Sequence, residues 1–182
     1  GLTFKIIMCF LRHLDEASGF KILDQAINHK DKIVGVGLDS SELGHPPRKF
    51  EKLFKKAIEK GFLTVAHAGE EGPSEYIWEA LNLLKVKRID HGVQCFCDEK
   101  LVQKLKDDQI PLTVCPLSNI KLRIFNILED HNLKKMLNKK LMVTVNSDDP
   151  AYFGGYINEN LIKSQAALNL SINEIKILII NS

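Results

Sequence analysis

Phe62-Leu63-Thr64-Val65-Ala66-His67-Ala68-Gly69-Glu70-Glu71-Gly72-Pro73 joins a short apolar run to a polar turn and ends on a proline. The run Phe62–Ala66 lacks a sustained polar–apolar alternation, which is how a strand covered on both faces reads. Upstream, Lys49–Lys60 places Phe50, Leu53, Phe54, Ala57 and Ile58 on one helical face, and Gly61 stops it. Downstream, Pro73–Leu84 opens with proline at a first-turn position and turns Tyr76, Ile77, Ala80, Leu81 and Leu84 inward. Helix, strand, polar turn and helix follow one another without a linker.

The same unit recurs on both sides. Further apolar runs lie at Phe4–Phe10, Ile33–Leu38, Arg88–His91, Pro111–Cys115 and Leu141–Val145. Helical patterns lie at Asp98–Lys106, with Asp98 as N-cap, at Asn158–Leu168, and at Ser171–Ile180, where Ser171 and Glu174 are spaced as a capping box. Strand–helix alternation predicts an α/β fold with right-handed crossovers. The strand-end residues His13, Ser40, His67, His91, Pro116 and Asp148 succeed one another at intervals of 24 to 32 residues. A (β/α)8 barrel of about 250 residues averages about 31 per unit, so the spacing fits a barrel. An open doubly wound sheet would show the same spacing, so periodicity leaves both architectures open and gives six units.

The 182 residues suffice for one well-cored domain, read as a single domain over 1–182. The formal net charge is +2, from 25 basic and 23 acidic residues, with no reason to expect nucleic-acid or membrane-surface binding. No apolar run reaches the roughly 18–20 residues of a membrane span. The opening run ends at Arg12-His13 without a cleavage site, so it reads as a buried strand rather than a signal peptide. The chain begins with Gly, so any targeting signal upstream would not be seen. Of Cys9, Cys95, Cys97 and Cys115, three sit in or beside apolar runs, which suggests reduced, buried thiols in a cytoplasmic protein. Cys95-x-Cys97 lacks the second pair of a zinc finger.

In both α/β architectures chemistry gathers at the carboxyl ends of strands. There the chain has His67-Ala68-Gly69-Glu70, then Asp90-His91-Gly92, then Asn146-Ser147-Asp148-Asp149-Pro150. Imidazole and carboxylate are zinc ligands, and zinc brings the pKa of water towards about 7. A carboxylic acid beyond the metal His could move protons, a second His could hold the hydroxide, and a second Asp could hold a substrate N–H. Taken singly, each group has a plainer role: Glu70 at a helix start, Asp148-Asp149-Pro150 as a turn or N-cap, the glycines as turn residues. Their recurrence at three strand ends favours metal-assisted hydrolysis. His29, His45 and His131 read as solvent-facing, and His13 shows no obvious partner. Nucleophile-elbow, Walker and dinucleotide-binding glycine motifs are absent from the sequence, and no cysteine reads as a nucleophile.

At these residues the sequence resembles the adenosine/adenine deaminase family, over essentially the whole chain. The resemblance implies a TIM barrel of the metal-dependent hydrolase type, with about six of its eight β/α units present. It implies one zinc per complete site with His67 and Asp148 as ligands, Glu70 as proton donor to purine N1, and His91 orienting the hydroxide that attacks C6. Asp149 would hydrogen-bond at purine N7. The loop Gly37-Leu38-Asp39-Ser40-Ser41-Glu42 looks like the adenine-type version, with Ser40 in place of the glycine that approaches N3 in the adenosine branch. Pro73–Ala80, Cys115–Asn119 and Pro150–Tyr156 resemble the adenine branch as well. The implied reaction is hydrolysis of adenine to hypoxanthine and ammonia in purine salvage; adenosine deaminase, or a catalytically incomplete remnant or purine-binding module, are the alternatives. The expected partner is a small-molecule purine, with no nucleic acid or membrane and the oligomeric state left open. One departure stands out: the family's first-strand His-x-His is absent. The chain therefore reads as starting at the third barrel strand and, alone, as neither holding zinc tightly nor turning over adenine.

Overall fold

The computed structural model describes residues 3–182. Among them, strands alternate with helices: β1 (Ile6–Leu11), α1 (Glu16–Ala26), β2 (Ile33–Asp39), α2 (Glu51–Glu59), β3 (Leu63–Ala68), α3 (Ser74–Asn82) and β4 (Arg88–His91). They continue with α4 (Glu99–Asp107), β5 (Leu112–Val114), α5 (Pro116–Lys121), α6 (Leu133–Asn138), β6 (Val143–Val145), α7 (Pro150–Phe153), α8 (Ile157–Leu168) and α9 (Ile172–Ile180). The residues form two compact units, one through Asp90 and one from His91 onward. The α/β architecture expected from the apolar runs is the one observed. No helix among the described residues is long and apolar enough to cross a membrane.

In the first unit β1, β2 and β3 are parallel, with Leu11 opposite Asp39 and Val36 opposite Thr64. Carried to the strand ends, that register sets residues 12–13, 39–40 and 67–70 side by side. The core is formed by Phe10, Leu38, Phe50, Phe54 and Ile77, all essentially inaccessible. The Phe10 and Phe54 rings meet edge to face at 5.9 Å. Burying each such ring contributes about 1.5–3 kcal/mol. β2 is covered as its unbroken apolar run predicts, but β1 is half-exposed, because it pairs with β2 alone among the described residues.

Several local expectations shift. The Lys49–Lys60 helix begins with a 3-10 turn at Pro47–Phe50, and Ile58 lies outside the buried stripe of Leu53, Phe54 and Ala57. Pro73 precedes α3 as its N-cap rather than occupying its first turn. In the second unit β5 and β6 are parallel, with Thr113 opposite Thr144. Asp98 caps α4 by accepting from the amides of Lys100 and Leu101. The Ser171–Glu174 capping box on α9 is present in both directions.

Candidate active site

At the strand ends of the first unit, His67 lies in β3 between two carboxylates. Its Nε2 is 3.5 Å from Asp39 Oδ1, and its Nδ1 is 3.8 Å from Asp90 Oδ2. Arg88 donates to the other Asp90 oxygen at 2.8 Å. Ser40 follows β2, and its hydroxyl is 2.8 Å from His13 Nδ1, which gives His13 the partner its sequence context did not reveal. Glu70 is buried on the turn after β3, behind Gly69 at φ 71°.

That turn is gripped by a residue that sequence reading passed over. Glu42, 2% exposed, accepts from the amide of Gly69 at 2.7 Å and from those of Glu70, Glu71 and Gly72 at 2.8 Å each. Behind it lies Arg12, fully buried, whose Nη1 is 3.8 Å from Glu42 Oε1. Arg12 also donates to the carbonyls of His45 and His67, at 2.8 and 2.7 Å. Desolvation lowers the Arg12 pKa from its usual value and Glu42 opposes that shift. Charged residues past β1 and β2 were the available signal. Their pairing shows only once the two strands lie side by side.

In the second unit His91 ends β4, Cys115 follows β5 and Asp148 follows β6. One ligand atom from each lies within 4.8 Å of the others. Asp148 is exposed, and Ser118 on α5 donates to its Oδ2 at 2.7 Å. His91 and Asp148 are thus brought together, with Cys115 as an unforeseen third. The Cys115 thiol donates to the Thr113 carbonyl at 3.6 Å. Asp149 is the N-cap of α7, its Oδ1 accepting from the Tyr152 amide at 3.2 Å, so the plain capping role weighed for it is realised.

His131 corrects the solvent-facing expectation. It is 3% exposed, with its ring 4.5 Å from that of Phe125. Its Nδ1 accepts from the Leu133 amide at 3.0 Å, which leaves Nε2–H to donate to Asn119 Oδ1 at 3.2 Å. Burial pushes its pKa down to about 4, so the ring is neutral. Asn119 sits beside Ser118 on α5, so this buried imidazole braces the helix that holds Asp148.

Backbone conformation marks the same positions. Among the described non-glycine residues with left-handed φ, Lys85, Gln109, Arg123, Lys140 and Asn169 come just after helices, where that conformation is ordinary. Ser40 (φ 82°), His91 (φ 69°) and Asp148 (φ 57°) come instead at strand ends. Strain kept at such places points to function. The donor chemistry also suits zinc, since imidazole, carboxylate and thiolate are its usual ligands.

A family model described as adenosine deaminase matches residues 1–182. The chain is 60% identical to an adenine deaminase of Acinetobacter baylyi over all 182 of its residues, which are 55% of that protein. It is similar to the crystal structure of adenine deaminase from Arthrobacter aurescens, with TM-score 0.95 and 50% identity over 98% of this chain and 54% of that one. It is also similar to an amidohydrolase from Burkhoderia ambifaria with bound Zn, with TM-score 0.90 and 28% identity over 97% of this chain and 50% of that one. The chain thus spans about half the length of the curated relatives it matches. Matched from its first residue to its last, and with the fold of an adenine deaminase structure along nearly its whole length, the chain belongs to the adenosine deaminase family.

Proposed function

We propose that this chain supplies the acid, the orienting histidine and part of the metal cage of an adenine aminohydrolase, which converts adenine and water to hypoxanthine and ammonia. The observation that carries this reading is Asp148: a left-handed, serine-held carboxylate with an imidazole and a thiol within ligand reach. Its relatives at 60% and 50% identity carry the adenine deaminase name, which favours adenine over adenosine as substrate. Both units belong to one catalytic domain in this reading, and the reduced cysteines suit a cytoplasmic enzyme.

His67 and Asp148 would hold the zinc, which when bound supplies an acidified water. His91, buried and fixed at the end of β4, orients the attacking oxygen towards C6 of the purine. Glu70 delivers a proton at N1, drawing electron density from C6 and opening it to attack. Asp149 accepts from an N–H at the N7 edge of the base with the oxygen its cap leaves over. Ser40 stands at N3, where its side chain occupies space a ribose would need. Ammonia leaves as the C6 oxygen becomes the carbonyl of hypoxanthine.

The test is made on the protein expressed from its complete reading frame. Glu70→Gln is expected to keep fold and metal while kcat falls by about 10²–10⁴-fold, the usual worth of a positioned acid. Asp148→Ala is expected to lose zinc, read by metal analysis of the purified protein. Near-full turnover in Glu70→Gln would remove the proton-transfer role, and a higher kcat/KM for adenosine would replace the substrate.

A further inference from the structure

We propose that Glu42 is a positioning residue for Glu70, and that Arg12 is the counter-charge that keeps Glu42 in its place. The proposal rests on the reading of Glu70 as the proton donor.

Four successive amides, Gly69 to Gly72, point at one carboxylate. Such a run of backbone N–H groups is a nest, a concavity that takes an anion. Here the anion comes from the chain itself, from the loop after β2. Glu42 is buried, and a Cβ on Gly72 would come within 2.6 Å of the Tyr76 ring and 3.1 Å of Glu42 Oε1, so the turn packs closely on both. Glu70 contributes its own amide to this nest. Its Cα is therefore fixed by the two bonds flanking it as well as by its own.

Arg12 secures the arrangement from below. It bonds the carbonyl of His45, at the far end of the Glu42 loop, and that of His67, at the near end of the Glu70 turn. A buried ion pair contributes little net stability, and apolar residues of like volume often serve as well. What an apolar pair could not do is satisfy four amides and two carbonyls at once. The carboxylate and guanidinium thus set the direction in which Glu70 leaves the turn. A displacement of about 1 Å at a reacting group costs about 10²-fold in rate.

The experiment compares Glu42→Ala and the isosteric Glu42→Gln in the protein expressed from its complete reading frame. In Glu42→Ala, kcat for adenine is expected to fall about 10²-fold with KM and zinc content little changed. Added formate, a carboxylate small enough for the emptied nest, is expected to restore kcat saturably. Glu42→Gln, which presents N–H groups to amides that are themselves donors, is expected to lower kcat about tenfold and to show no response to formate. A kcat in Glu42→Gln equal to that of the unaltered protein would overturn the proposal. So would formate that raises the melting temperature of Glu42→Ala without raising kcat. If the unaltered protein proves inactive on adenine, the functional reading falls instead. The clamp is then read by hydrogen exchange at the Gly69–Gly72 amides, where faster exchange in Glu42→Ala, slowed again by formate, supports it and unchanged exchange overturns it.

Discussion

At the scale of single residues, His131 is a proton-linked brace. Its folded-state pKa near 4 lies below the ordinary 6.5, so the unfolded chain takes up a proton in that window and the folded chain does not. Its contribution is therefore complete above pH 6.5 and is lost as pH falls towards 4. Within the window, stability is expected to decline by up to about 1.4 kcal/mol per pH unit. Urea midpoints measured from pH 7 to pH 4 should follow that slope, and His131→Gln should flatten it. An unchanged slope in the variant would assign the acid sensitivity elsewhere. Sequence could not show this burial: His131 follows Asp130 in a polar stretch, and only packing against Phe125 and Asn119 removes it from water.

At the scale of elements, local chemistry decided which pieces were legible. Asp98 and the Ser171–Glu174 pair announced α4 and α9 because capping is written in adjacent residues. Ser171→Ala is expected to cost about 1 kcal/mol of stability. A midpoint of urea unfolding that matched the parent would show that α9 does not depend on its cap. Helix α1 was not legible, because Gly19 interrupts its pattern. The structure supplies the reason: a side chain there would overlap Leu53 of α2, so the glycine serves the contact between two helices rather than either helix alone. The site divides the same way. His67, Glu70, His91 and Asp148 stood out as candidates because strand ends are where α/β folds place chemistry. Arg12, Glu42, Cys115 and Ser118 did not, since their roles depend on neighbours distant in sequence.

At the scale of the whole molecule, the thiols give an independent check on packing in both units. Cys97 is exposed, whereas Cys95 is buried and its pKa is pushed up to about 12, chiefly by that burial. Cys9 is raised to about 11 by burial and then by Asp39 and Asp90. Timed alkylation of the native protein at neutral pH, read by mass spectrometry, is expected to mark Cys97 well before the others. Labelling of Cys95 at the same rate would contradict the packing around the turn after β4.

The nest beneath Glu70 also bears on how this sequence can vary. Removal of Arg12 alone leaves a carboxylate stranded away from water, and removal of Glu42 alone strands a guanidinium beside four unsatisfied amides. Either loss costs about 3–5 kcal/mol, a large part of the stability of a chain this size. A side chain at position 72 would meet the Tyr76 ring first and crowd the carboxylate next. Arg12, Glu42 and Gly72 are therefore coupled, so that a change at any one of them alters how the other two fit around the turn that carries Glu70.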